Sequence, residues 1–203
     1  MADTRDHLIS FFRRFPGIGP RQAERFVYFL LRQDDDSLSY FSRLVKELRG
    51  SVRQCTLCFR FFSAGNSSLC RECSDEMRDQ TLLLVLEKDS DFDAVRRSGH
   101  YDGAYFILGG LLNLLDSENL RYVRMRELER RIKSEDNHLK EVIIALAATR
   151  EGDHTAESIR NLLTPYALAR GFRITMLGRG LSTGLELEYS DPETIKNALK
   201  HRE

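Results

Sequence analysis

Four cysteines fall within nineteen residues, as Cys55-Thr56-Leu57-Cys58 and Cys70-Arg71-Glu72-Cys73, two matched pairs separated by eleven residues. Each Cys-x-x-Cys step puts two sulfurs on one tight turn, and two such turns facing each other supply the four soft ligands of a tetrahedral zinc ion. A set of four protein thiolates leaves no coordination position open, so the spacing assigns the metal to folding and not to catalysis. Two readings compete with zinc: paired disulfides, which need an oxidising compartment, and an iron–sulfur cluster, whose irons also take thiolates.

The chain follows different periodicities on the two sides of these cysteines. In front, Ala23, Phe26, Val27, Leu30 and Leu31 recur at helical spacing, and Leu38, Phe41, Val45 and Leu48 repeat it, with Ser37 as the expected cap and Gly50 as the expected stop. Behind, Leu82 to Leu86, Ala104 to Leu108, Val142 to Ala147 and Phe172 to Leu177 read as buried strands. Helical stretches at Phe92 to Arg97, Leu120 to Ile132 and Thr155 to Leu163 alternate with them, and Pro165 is expected to end or kink the last. Strands and helices in alternation indicate a βαβ arrangement around a largely parallel sheet. Asp191-Pro192-Glu193 opens a final helix through Leu199.

Charge and hydropathy narrow the functional classes. The longest apolar run, Val142 to Ala148, is far shorter than the ~18 to 20 residues that span a bilayer, and Met1 to Phe12 lacks the continuous apolar stretch of a secretory signal. A cytoplasmic protein with no membrane association is the expectation. Thirty-one basic residues balance thirty-one acidic ones, but the average hides a segregation. Residues 1–33 carry six Arg against Asp3, Asp6 and Glu24, and residues 37–71 carry six basic residues against Glu47 alone. Zinc held by four thiolates adds about −2 and returns part of that balance.

Within the basic front lies Phe15-Pro16-Gly17-Ile18-Gly19-Pro20, followed directly by Arg21-Gln22-Ala23-Glu24-Arg25. Gly17 and Gly19 permit backbone angles closed to other residues and allow a close approach, while Ile18 can plug the groove between the flanking helices. Pro20 suits a first helical turn, whose free N–H groups and positive dipole can take a phosphate. Arg21 and Arg25, one turn apart, would flank it. These residues resemble a helix-hairpin-helix, a module that binds the nucleic-acid backbone without reading sequence. Arg13 and Arg14 read as a solvated helix face.

Behind the cysteines, Glu87 follows the first strand, and Arg150-Glu151-Gly152-Asp153 follows the third. Parallel sheets place ligand sites at such strand ends. The arrangement resembles the Toprim fold of topoisomerases and primases, in which a Glu and two Asp residues hold magnesium. By that resemblance Ala147 and Thr149 stand where the two aspartates would be. Magnesium needs hard oxygen ligands fixed near the reacting phosphate, and two of the three carboxylates are missing, so the resemblance implies a sheet that has lost phosphoryl-transfer chemistry. The rival is an active magnesium-dependent nuclease or primase-like enzyme using Glu87, Glu151 and Asp153. In a plainer reading Asp153 caps the helix that follows and Glu151 is a surface carboxylate.

Taken in order, the hairpin, the cysteine pairs, the Toprim-like sheet and a glycine-containing C-terminal segment resemble the RecR family of bacterial recombination mediators over essentially the whole chain. Gly99-His100-Tyr101-Asp102-Gly103 through Gly110 resembles the family's second Toprim strand, and Arg179-Gly180-Leu181 through Asp191 its C-terminal segment. Ala147-Ala148 replaces the family's usual Asn-Pro, Asp89 stands where Pro is usual, and the cysteine loop is long, which marks a divergent member. The resemblance implies a multi-module α+β and α/β chain: a helical region at 1–53, a zinc finger at 54–76, a Toprim-like domain at 77–171 and a strand–helix segment at 172–203. It implies a homo-oligomer, dimer or tetramer, that encircles or clamps single- and double-stranded DNA without sequence specificity. It further implies action with RecO, and in many bacteria RecF, to load RecA onto single strands. Arg21 and Arg25 would contact DNA, and the acidic face of Glu87, Glu151 and Asp153 would contact RecO.

Gly178 to Gly184 lacks the Lys-Ser/Thr of a P-loop and precedes an expected strand, so it reads as a turn. Leu185, Leu187 and Tyr189 alternate with polar residues, as in a half-exposed strand that could contribute to subunit contact. His154 keeps company with Glu151 and Asp153 but reads as a solvated first-turn residue.

Overall fold

A computed structural model describes residues 3–63, 65, 67–112, 122–134, 138–178, 192 and 194–196. The chain divides into two compact units, Met1–Val52 and Arg53–Glu203.

The first unit is helical: α1 (Thr4–Phe12), α2 (Pro20–Leu30) and α3 (Asp35–Ser51). The apolar stripe of α2 buries Ala23 and Val27. Phe12 joins α1 to α2 by an edge-to-face contact with Phe26, ring centroids 5.6 Å apart, and meets Phe15 in the hairpin at 5.7 Å. The stripe on α3 buries nothing, and Phe41, Val45 and Leu48 stand about half exposed. Asp34, not Ser37, caps α3, its carboxylate accepting from the backbone N–H of Ser37 at 2.8 Å. The side chain three residues before an orphan N–H reaches it, so Asp34 takes the capping position and Ser37 supplies the donor. Gly50 does not stop the helix, which runs one residue further; a glycine lowers helix stability by about 1 kcal/mol but blocks nothing.

The second unit is built on a four-stranded parallel sheet in the order β4 (Gly103–Ile107), β3 (Asp79–Leu86), β5 (Glu141–Ala145) and β6 (Arg173–Met176). A small two-stranded sheet, β1 (Val52–Gln54) and β2 (Phe61–Ser63), and the short α4 (Arg71–Ser74) carry the cysteines. Helices α5 (Asp89–Ser98), α6 (Met125–Lys133) and α7 (Arg150–Arg170) also belong to this unit.

Side chains alternate along the central strands between two cores. Leu83 and Val85 of β3 join Phe106, Val142 and Ile144, with Leu128 and Ile132 of α6 and Ile159 and Leu163 of α7. Leu84 and Leu86 point the other way, to Tyr105, Ile107, Phe92 of α5 and the sulfurs of Cys55, Cys58 and Cys70. The cysteine segment thus supplies part of one face of the sheet, which is why the strands read as unbroken apolar runs.

The four expected strands are all present, with ends shifted by at most three residues, but β6 is not the buried strand expected: at the end of the sheet order, Arg173 and Met176 are exposed and Ile174 and Thr175 half-buried. The third expected helix is longer than its periodicity suggests: α7 runs unbroken through Pro165 to Arg170. Thr149 caps its start, the hydroxyl accepting from the N–H of Gly152 at 3.1 Å. A cap at 149 leaves Asp153 inside the first turn and rules out the reading in which Asp153 is the cap. Helix α6 begins at Met125, not Leu120. Arg170 closes its far end by donating to the carbonyls of Ile132, Lys133 and Ser134. The proposed turn after Gly178 and the alternating strand at 185–190 lie outside the described residues; of the final helix, Pro192 and residues 194–196 are described and helical.

The outer edge of β4 is covered. Its Gly103 carbonyl accepts from Arg78, its Tyr105 carbonyl from Arg131 at 2.8 Å, and its Ile107 carbonyl from Arg124 at 3.1 Å. The Ile107 N–H donates to the carbonyl of Cys58 at 2.8 Å. Residues 103, 105 and 107 are those that face away from β3 in a period-two strand, so their three carbonyls and the Ile107 amide are satisfied by three guanidinium groups and one cysteine turn.

Candidate metal centre and nucleic-acid interface

The ligand atoms of Cys55, Cys58, Cys70 and Cys73 lie within 4.8 Å of one another, and the Sγ atoms of Cys58 and Cys70 are 3.6 Å apart. Zinc–sulfur bonds of about 2.3 Å at tetrahedral angles separate the sulfurs by about 3.8 Å, so the donor set fits zinc. The backbone shapes the site. Phe59 N–H donates to the Cys55 carbonyl at 3.0 Å, closing the first turn, and Cys70 N–H points at Cys55 Sγ at 3.4 Å. Phe59 takes a left-handed conformation, φ 64°, that is uncommon for a bulky residue. Its ring packs edge-to-face on Phe106 at 5.4 Å, which holds it there.

The thiols polarise one another. The neighbouring sulfurs, Cys58 first, push the Cys55 thiol down, while Cys55 and the others push Cys58 up, since four crowded sulfurs cannot all ionise without a cation among them. Arg60, whose guanidinium lies 4.0 Å over the Phe92 ring, pairs with Glu72 of α4 and ties the two cysteine turns together.

At the hairpin, Pro16 and Gly17 occupy the two central positions of a turn closed by Ile18 N–H donating to Phe15 carbonyl at 3.1 Å. Gly17 has φ +74°, the value that such a turn requires at its second central residue. Gly19 is the N-cap of α2, Pro20 its first residue, and no side chain caps the helix. Ile18 is half-buried, whereas Arg21 and Arg25 are exposed, and no carboxylate among the described residues forms an ion pair with either. The expectation of a special backbone angle holds at Gly17 but not at Gly19, which sits at φ −80°, an angle any residue adopts; the hairpin presents an open helix N-terminus beside two exposed guanidinium groups.

The acidic residues are arranged differently. Glu87 follows β3 and is mostly buried, with Lys88 Nζ at 3.8 Å from its carboxylate. Glu151 and Asp153 are exposed in the first turn of α7. Because β3 and β5 are parallel neighbours, with Leu86 beside Ala145, the strand ends that carry these residues share one edge of the sheet. Yet Glu87, Glu151 and Asp153 do not come together as a metal-holding group; among the described residues only the four cysteines do. Gly152 between them is sterically required, because a Cβ there would lie 1.9 Å from the Ala147 carbonyl oxygen.

The arginines Arg78, Arg124 and Arg131 escaped sequence reasoning. Each lies in a stretch rich in other charges, and nothing in the pattern separates an arginine that reaches backbone from one in solvent.

A tight glycine turn at a helix N-terminus, a four-sulfur cluster packed against a sheet, and acidic strand ends define a helix-hairpin-helix protein with a Toprim-type domain. A family profile described as "RecR, helix-hairpin-helix" matches residues 6–49, and one described as "Toprim domain" matches 81–177. The chain is 36% identical over 195 residues to "Recombination protein RecR" of Prochlorococcus marinus subsp. pastoris, covering 96% of this chain and 93% of that protein. It is 33% identical over 196 residues to the protein of the same name from Lactobacillus acidophilus, covering 97% and 94%. The chain belongs to the RecR family of recombination proteins. No helix of the described residues is long and apolar enough to cross a membrane.

Proposed function

We propose that the protein is a cytoplasmic, non-enzymatic recombination mediator that grips DNA by its phosphates, holds zinc on Cys55, Cys58, Cys70 and Cys73, and assembles into a ring or clamp. In this reading it acts with RecO, and with RecF where one exists, to load RecA onto single-stranded DNA. The observation that carries it is the hairpin: an uncapped α2 N-terminus beside exposed Arg21 and Arg25. Gly17 and Gly19 bring backbone close to the phosphate, and the guanidiniums neutralise it without reading a base. Closure of a ring sums several such weak contacts, so a chain of zero net charge suffices. The acidic strand ends, Glu87, Glu151 and Asp153, serve as the RecO-facing surface. Their separation supports a sheet that positions partners and does not transfer phosphoryl groups.

The test is salt-dependent binding to single- and double-stranded oligonucleotides. Affinity should fall steeply with salt, and Arg21→Ala/Arg25→Ala should flatten the log–log slope by about 1.8 on duplex and about 1.4 on single strands. An unchanged slope in the double variant would remove the hairpin from the interface. Turnover of labelled DNA with magnesium, abolished by Glu87→Gln, would replace the mediator with the enzyme.

A further inference from the structure

Zinc bound by four thiolates carries a net charge of about −2 into a largely buried setting, since Cys55, Cys58 and Cys70 are core residues of the sheet. A buried anion of that size calls for a cation or hydrogen-bond donors nearby. Arg131 is placed to answer it. The residue is half-buried on α6, a helix whose apolar face belongs to the opposite core, and its side chain reaches round the edge of β4. One nitrogen, Nη1, donates to the carbonyl of Leu57, within the first cysteine turn, and to that of Tyr105 on β4, both at 2.8 Å. The sulfurs of Cys73, Cys58 and Cys55 lie within its electrostatic reach.

We propose that Arg131 is a positioning residue of the zinc site: it pins the Cys55–Cys58 turn to β4, and its fixed charge damps the nucleophilicity of the zinc-bound thiolates, slowing loss of the metal. Nucleophilic thiolates are what electrophiles attack, and a neighbouring cation stabilises the anionic sulfur in its ground state more than in a transition state where that charge is being spent. The proposal rests on zinc occupying the cysteines, which metal analysis of the parent protein tests separately.

The experiment follows zinc release from full-length, zinc-replete protein at fixed pH, using a colorimetric chelator, with and without N-ethylmaleimide. In the maleimide arm the sulfur adds to the alkene, solvent protonates the adjacent carbon and the zinc–sulfur bond breaks. Arg131→Gln should release zinc at least tenfold faster in the maleimide arm, a barrier change of about 1.4 kcal/mol. Arg131→Lys, which keeps the charge and one donor, should stay within about threefold of the parent. In cobalt-substituted protein, the sulfur-to-cobalt charge-transfer band of Arg131→Gln should move to lower energy, a signature that mere loosening of the edge would not produce. Release from folded Arg131→Gln at the parental rate overturns the proposal. So does release from Arg131→Lys tenfold faster than from the parent, which decides the matter even where Arg131→Gln does not fold. A parent without zinc sinks the metal assignment and leaves the hairpin reading untouched.

Discussion

The two units of the chain gain order in different ways. The unit from Arg53 onward encloses its strands between two cores and adds a four-sulfur cluster to one of them. The helical unit buries Ala23 and Val27 among its described residues and leaves the stripe of α3 only half covered. Amphipathic patterning looks alike in both, since the spacing of Leu38, Phe41, Val45 and Leu48 is as regular as that of Leu128 and Ile132. A stripe reports that a helix has an apolar face; burial depends on whether another element meets it.

The strongest way to break this contrast is to remove a ligand. Cys58→Ser should abolish zinc retention and destabilise the sheet unit by more than about 5 kcal/mol, given that structural zinc supplies folding energy outright. Hydrogen exchange should quicken across β3 to β6 while α2 amides keep their protection. Simultaneous loss of both would show one cooperative body instead of two. Next, Phe106→Ala, which empties a fully buried site beside Phe59, should cost about 3 to 5 kcal/mol in denaturant unfolding. Gly152→Ala should cost about 1 to 3 kcal/mol, because the new methyl meets the Ala147 carbonyl and the backbone has to move. Val45→Ala, on the exposed face of α3, should stay within about 0.5 kcal/mol of the parent. A larger loss there would mean that a partner covers that face in solution.

The smallest effect is electrostatic. The backbone N–H of Ser37, and then its hydroxyl, hold the Asp34 carboxyl below its ordinary value of 3.8. A depressed folded-state value means that the cap's contribution is complete above 3.8 and fades as pH falls through the folded value. The Ser37 amide resonance should therefore titrate below 3.8 in the parent and lose that titration in Asp34→Ala.

Much of this was legible from residues alone, for reasons that differ by region. The cysteine spacing is readable because tetrahedral coordination tolerates few geometries. The central strands are readable because both faces of β3 and β4 are covered and their buried stretches are apolar throughout, whereas β6 buries none of its residues. The hairpin is readable because Gly17 needs a positive φ. Helix ends were less so. Asp34, Asp35, Asp36 and Ser37 are all competent caps, and only the backbone path selects among them. Pro165 looked like a terminus, yet α7 continues past it with its buried face, Ile159 and Leu163, already packed one turn earlier. The roles of Arg78, Arg124 and Arg131 had no sequence signal, because their partners are carbonyl oxygens that every residue possesses.

The covered rim of β4 bears on how molecules of this kind avoid sticking together. An extended peptide that tried to add itself as a fifth strand would find the carbonyls of Gly103, Tyr105 and Ile107 and the Ile107 amide already engaged. Runaway strand-by-strand growth is closed off on that flank for as long as the Cys55–Cys58 turn and the three guanidinium groups stay seated.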